Sequence, residues 1–331
     1  MLNMLFKNGS QLITLLGILF AFAAVFWLLM NKKDILPRDH GREYAVQGSL
    51  SAGKWTGAGF IMIPVFIVAS LIFGDVTAET IIYYVLLAAA MITGYLDDAA
   101  KVPWGRLKKG LFDFAIALAA SVTYVWFNGS AVSLAVFGIT ITIPAVIYVI
   151  LGIVLIWVSI NVTNCSDGVD GLSASLSIVT LMSFFLMNTI HVDESGFNAE
   201  ILLYVVVLIA YLWFNATPSI LMMGDAGSRA MGFFIAIVAM KSGSPLIYIP
   251  FAIVLILDGG LGLIKLSFIK FLKKEILMNI RLPLHDQVRK NLEVTDHEGN
   301  VVRKNWSNTQ TVFRFVIIQI MVSTLFIFLI W

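Results

Sequence analysis

The stretch NCSDGVDGL, residues 164–172, sets Asp167 and Asp170 three apart among small residues, with long apolar runs on both sides. GYLDDAAK, 94–101, carries the pair Asp97 and Asp98, and MMGDAGSRAMG, 222–232, places Asp225 between glycines. Acids spaced i,i+3 at a helix start point the same way. Gly168 and Gly171 let backbone or ligand come close. Asp98 and Lys101 are also i,i+3, and Asp97 and Lys101 are i,i+4, spacings that suit a local ion pair of about 0.2–0.5 kcal/mol. Asp225 opens an apolar helix whose first amides would face an anion. Acids, glycine-rich backbone and a nearby Lys together suit Mg2+ held between carboxylate and phosphate. Calcium is disfavoured because no EF-hand pattern is present. Zinc is disfavoured because His40, His191, His285 and His297 are scattered and Cys165 is the one cysteine.

The elements that must position these acids are membrane spans. The chain has 331 residues, 59% hydrophobic and 13% charged, where a soluble protein carries about a quarter charged residues. A net charge of +2 argues against a nucleic-acid footprint, and one cysteine excludes an internal disulfide. A span needs about 20 apolar residues. Ten candidates are legible, at about 11–30, 59–74, 80–96, 111–127, 136–160, 172–190, 199–214, 229–240, 246–269 and 311–331. The first is too long for a signal-peptide core, and no convincing cleavage site follows it, so it reads as a retained span. The expected fold is an all-α integral membrane protein, one domain over 1–331.

Basic residues orient the spans. Lys32, Lys33, Arg38, Arg42 and Lys54 follow the first; Lys101, Arg106, Lys108 and Lys109 follow the third; a dense basic run from Lys270 to Lys304 follows the ninth. The opposite loops are poor in Lys and Arg, Lys7 and Lys241 excepted. Both termini therefore lie outside, and Asp97, Asp98, Asp167, Asp170, Asp225 and Asp286 gather at the cytoplasmic side. Asp258 lies inside the ninth run. A charge at the bilayer centre costs about 2.5–3.5 kcal/mol, and acids lining a wet mouth avoid most of it. The cytoplasmic stretch 270–310 opens with an amphipathic segment, FIKFLKKEILMNI, and contains EVTDHEGNVVRK, read as a small hairpin.

Two motifs mislead. GSLSAGK, 48–54, looks like a P-loop, but Trp55 stands where Ser or Thr should hold Mg2+. Asn161, Asn164 and Asn215 each head an Asn-x-Ser/Thr triplet. They fall on the cytoplasmic side, where their amides are better read as polar ligands than as glycan acceptors.

YLDDAAK, NVTNCSDGVDGL, FNATPSILMMGDAGSRAMG and LPLH, in this order on one membrane face, resemble the polyprenyl-phosphate N-acetylhexosamine-1-phosphate transferases. Within them the chain looks like the phospho-N-acetylmuramoyl-pentapeptide transferases. The resemblance covers nearly the whole chain, and NWSNTQTVFRF, 305–315, extends it. It implies a Mg2+-dependent reaction of UDP-MurNAc-pentapeptide with undecaprenyl phosphate, giving lipid I and UMP. It implies a bacterial plasma-membrane homodimer with a cytoplasmic active site.

By resemblance Asp225 is the metal ligand. Asp97 and Asp98 lie near the lipid phosphate, one a candidate to take its proton. Asn161, Asn164, Asp167 and Asp170 line the nucleotide pocket, Asn215 supports the metal centre, Lys101 touches phosphate, and His285 serves the sugar-side loop. Three positions depart from the family. Its three consecutive His are HDQ at 285–287 here, and its uracil-stacking aromatic is Met222.

Two other readings stand beside this one. Related wall-polymer and lipopolysaccharide initiators use UDP-GlcNAc. A secondary transporter would explain Asp258, but the acids cluster at one mouth rather than the midplane, and no inverted repeat is visible. The orientation is directly testable. A cysteine placed within 295–300 is expected to be shielded from impermeant thiol reagents in intact cells, whereas one at Ser195 reacts. The opposite labelling pattern reverses the topology.

Overall fold

The computed structural model describes residues 10–39, 41, 51–100, 102, 104–190, 197–290, 294–295, 297–303 and 305–331. Lys101, His40, His191 and Ser195 lie outside them. Eight long helices come first: α1 Ser10–Lys32, α2 Gly59–Phe73, α3 Ala78–Asp98, α4 Arg106–Asn128, α5 Ala145–Ser166, α6 Leu172–Ile190, α7 Asn198–Asn215 and α8 Gly224–Lys241. A bent pair follows, α9 Pro245–Phe251 and α10 Ile253–Leu272, meeting at 71°. The short α11, Leu284–Arg289, and the long α12, Asn308–Ile330, complete the helices. Each of the ten apolar stretches thus coincides with a helix or with the bent pair, with one correction. Residues 136–144 do not begin a span. Most of them belong to a hairpin, β1 Ala131–Leu134 against β2 Ile139–Thr142.

Seven of these helices, α1, α3, α4, α5, α6, α7 and α12, are long and apolar enough to cross a membrane, and the bent pair makes up to eight. The chain is thus an all-α, multi-pass membrane protein with two small hairpins. Its outward faces carry Trp126, Trp213 and Phe313, at 83%, 72% and 64% exposure, large apolar groups that suit a lipid surround. Two helix starts carry reciprocal caps that satisfy otherwise orphaned amides, Thr77 with Thr80 before α3 and Ser307 with Gln310 before α12. The second hairpin pairs β3, Val294–Thr295, with β4, Val301–Arg303, where the sequence placed one.

α8 is the central helix. It packs against α2, α3, α5 and α6, and its residues Ala226–Met240 are all buried. Gly94 on α3 allows one of these close approaches, since a Cβ there would overlap the carbonyl of Asp225. The bend between α9 and α10 leaves backbone groups without helical partners inside the bundle, where water cannot satisfy them. Gln319 of α12 supplies both halves of the repair. Its Nε2 donates to Pro250 O at 3.0 Å, and its Oε1 accepts from Val254 N at 2.9 Å. Thr180 donates to Phe251 O at 2.7 Å. The side chain of another helix thus stitches the break, which redirects α10 toward the acidic end of the bundle.

Two ion pairs lie inside the bundle away from the acid cluster. Asp113 of α4 meets Arg229 of α8 at 2.5 Å, both nearly fully buried. At the opposite end from the acid cluster, Lys241 pairs with Glu79 at 2.9 Å and with Asn128 at 2.8 Å. That pairing neutralises one of the two basic exceptions to the loop bias. Removing one partner of a buried ion pair costs about 3–5 kcal/mol, whereas replacing both by apolar groups is often neutral. Asp113→Leu should therefore lower the thermal unfolding midpoint in detergent strongly, and adding Arg229→Leu should recover more than half of the loss. Equal losses for the single and double variants would refute the pairing as the cause.

Candidate active site

The site is built where α3 ends, α8 begins and α5 ends. Asp98, the last residue of α3, accepts from the amides of Asp225 and Ala226 at 3.0 and 3.1 Å. The first amides of α8 do face an anion, as the sequence suggested, but that anion is Asp98. A carboxylate there also opposes the positive end of the helix dipole. Asp97 turns the other way. Its Oδ1 accepts from Trp104 N at 2.6 Å, and its Oδ2 pairs with Lys109. Lys109, in the first turn of α4, also reaches Asp225 Oδ2 at 3.0 Å. Asn164 of α5 donates to the other oxygen of Asp225 at 2.8 Å and to Ser228 Oγ at 2.9 Å. Asp225 is therefore bracketed by an ammonium on one side and an amide on the other, and it keeps 21% side-chain exposure.

A second wall comes from the loops 167–171 and 216–223. Asn215 accepts from Gly171 N at 2.8 Å and donates to Leu221 O at 2.9 Å, which ties the two loops together. Asp170 accepts from Ser219 N at 3.2 Å. Lys54 reaches Asp170 at 3.5 Å and Ser219 Oγ at 2.8 Å. Met222 donates its amide to Trp55 O at 2.7 Å and accepts from Ala58 N at 3.1 Å. The guanidinium of Arg38 sits 3.6 Å over the Trp55 ring. Lys54, the last residue of the stretch that imitates a P-loop, thus supports this wall.

The third wall is α11. His285 is buried, and both its amide and its Nδ1 lie 2.8 Å from the carboxylate of Asp258. Asp286 pairs with Arg289 at 2.8 Å and with Arg281 at 3.7 Å, and Gln287 accepts from Arg281 N at 2.7 Å. Both departures from a triple His therefore turn into their own loop.

Carboxylates from two helices, an ammonium between them and an amide-lined loop can hold a charged, phosphate-bearing group. Comparison with known proteins agrees. Residues 80–243 match the family model described as glycosyl transferase family 4. A phospho-N-acetylmuramoyl-pentapeptide-transferase of Treponema pallidum is 34% identical over 90% of this chain and 84% of its own length. One from Maricaulis maris is 27% identical over 96% of this chain and 91% of its own.

The chain belongs to the phospho-N-acetylmuramoyl-pentapeptide transferase family.

It is accordingly a phosphoglycosyl transferase, and the site residues named from its sequence can be placed one by one. Asp97, Asp98, Asn164 and Asp225 of this transferase come together directly. Asp167 caps the end of α5, its amide donating to Asn164 O at 3.2 Å, and Asp170 joins the second wall. Asn215 is a buried tie between loops, with neither of its bonds going to the acids. Asn161 donates to Trp157 O of its own helix at 2.8 Å. Met222 contributes backbone bonds to the second wall. Lys101 falls outside the described residues.

Lys109 is what sequence reasoning missed as a site residue. The signal was present, because Arg106, Lys108 and Lys109 crowd the first turn of α4, the end where cations oppose the helix dipole. Lysines in such a place need an anionic partner. Lys54 and Asp258 were likewise not named as site residues.

Asp225→Asn keeps the side-chain volume but removes the charge that Lys109 and Asn164 surround. It should abolish transfer while the protein still folds and inserts. Turnover near wild type at limiting Mg2+ would reject Asp225 as the central carboxylate.

Proposed function

We propose that this transferase moves phospho-MurNAc-pentapeptide from its UDP derivative to undecaprenyl phosphate, giving lipid I and UMP. The reaction takes place at the cytoplasmic face of a bacterial plasma membrane. The observation that carries the reading is the Asp97–Lys109–Asp225 bridge, flanked by Asn164, at one end of an apolar bundle. An oxygen of the lipid phosphate attacks the sugar-bearing phosphorus, and the bond to the uridylate phosphate breaks. Such a transfer needs positioning and charge neutralisation more than covalent help.

The donor set fits Mg2+, a hard cation that favours oxygen ligands and is commonly held by one or two carboxylates together with substrate phosphates. No cage of three or more His, Cys, Asp or Glu is preset among the described residues. Asp225 with Asp97 would hold the ion, a reading supported by the Lys109 ammonium lying between these two carboxylates. When bound, the ion would neutralise charge on the diphosphate. Asp98 holds the start of α8 so that Asp225 faces the mouth. Lys109 offers its ammonium to phosphate oxygens. The 167–171 loop and the wall at Lys54 and Ser219 receive the nucleotide.

The lipid substrate has a track along α5. At the cytoplasmic end, Arg106 and Lys270 flank a groove that includes Trp157 and Val154. Val154 also lines an almost wholly apolar cavity of about 500 Å3 between α5, the β1–β2 hairpin and α9. Cations at one end and an apolar cavity at the other suit a phosphate on a polyprenyl chain.

The test is UMP release by detergent-solubilised protein supplied with Mg2+ and undecaprenyl phosphate. UDP-MurNAc-pentapeptide should support release, and UDP-GlcNAc should not. Release from UDP-GlcNAc alone would reassign the sugar, and release from neither would end the transferase reading.

A further inference from the structure

Asp258 is fully buried, with 0% exposure. It lies in the π-helical turn Ile256–Gly260 of α10, just beyond the bend that Gln319 stitches. π turns are rare and frequently mark functional positions. Gly259 seats this turn tightly on α5, since a Cβ there would overlap Val162 O. A buried carboxylate is costly unless its oxygens are hydrogen-bonded. Here one oxygen accepts from His285 N and the other faces His285 Nδ1, each at 2.8 Å. An acceptor oxygen facing Nδ1 pairs with the Nδ1–H tautomer of the ring. The remaining ring nitrogen, Nε2, is turned to the 167–171 loop, where a Cβ on residue 168 would overlap it, and it lies 3.9 Å from Asp286 Oδ1, a carboxylate that Arg281 and Arg289 already pair with. Glycine at 168 is what lets the ring lie against that backbone.

We propose that Asp258 is the positioning residue for His285, holding its ring in the Nδ1–H tautomer so that Nε2 presents a lone pair to the donor substrate. The proposal rests on the transferase reading for its substrate and on geometry alone for its tautomer. A neutral His285 that accepts at Nε2 recognises a hydroxyl or amide N–H of the N-acetylated sugar, not a phosphate oxygen. The logic is that of catalytic groups whose orientation is set by a buried partner behind them.

Asp258→Asn separates this role from mere support. An asparagine fits the same space, and its Oδ1 still accepts from His285 N. Its Nδ2 then donates to Nδ1, which forces the proton to Nε2 and turns an acceptor into a donor. Nitrogen–proton correlation spectra of protein labelled with 15N-histidine should show the His285 signal, identified by its loss in His285→Gln, as the neutral Nδ1–H form. The signal should switch to Nε2–H in Asp258→Asn. An Nε2–H or doubly protonated ring in the unaltered protein near neutral pH overturns the proposal, and this arm requires no turnover. In the UMP-release assay, Asp258→Asn should lower kcat/KM for UDP-MurNAc-pentapeptide by about 10- to 100-fold. In a His285→Ala background the same change should cost less than twofold. An equal loss in both backgrounds would make Asp258 a structural residue and defeat the proposal. Absence of UMP release by the unaltered protein would defeat the transferase reading and leave the tautomer result standing.

Discussion

One ammonium, that of Lys109, lies between the carboxylates of Asp97 and Asp225, which belong to two different helices. Three elements meet on this contact. α3 delivers Asp97, α4 delivers the lysine and α8 delivers Asp225. Like charges brought together at the edge of an apolar bundle repel and resist desolvation, and a cation shared between them offsets both effects. The neighbouring arrangements serve the same constraint. Asp98 spends its two oxygens on the first amides of α8, and Asn164 fixes the free side of Asp225. The acids can therefore lie close together without a preset metal cage.

The scaffold behind this contact depends on side chains that repair backbone. Gln319 and Thr180 satisfy the broken ladder between α9 and α10, and Asn215 ties Gly171 to Leu221. Each of these amides or hydroxyls lies in the bundle interior, where an unpaired carbonyl or N–H is expensive. Their common effect is to let irregular backbone exist beside the site. The bend aims Asp258 at His285, and the tie holds the two loops of the second wall. Beside the site, irregular backbone stands where a polar side chain satisfies it.

Much of the fold was legible beforehand because its signals are local. Hydropathy over about 20 residues marks a span wherever it occurs, so all ten apolar stretches correspond to helical segments. The error at 136–144 has the same origin. Apolar residues such as Ile139 and Ile141 feed a hydropathy window equally well from a strand, and the alternation is too short to announce itself. The 294–303 hairpin was legible from its turn residues. The acids Asp97, Asp98, Asp167, Asp170 and Asp225 stood out because charge in so apolar a chain is itself a signal.

The amino-acid sequence by itself determined the class of the protein, its apolar segments, its family and the carboxylates of its candidate site. Only the tertiary structure decided what each carboxylate holds. Lys109 and Asp225 are 116 residues apart, Asp98 and Asp225 are 127 apart, and Asp258 meets His285 across 27. No periodicity or spacing rule relates positions at such separations, because their meeting depends on how whole helices pack. Glycines at 94, 168 and 259 and the bend after Phe251 set those approaches. The residue types were readable along the chain, while their partners were fixed by packing.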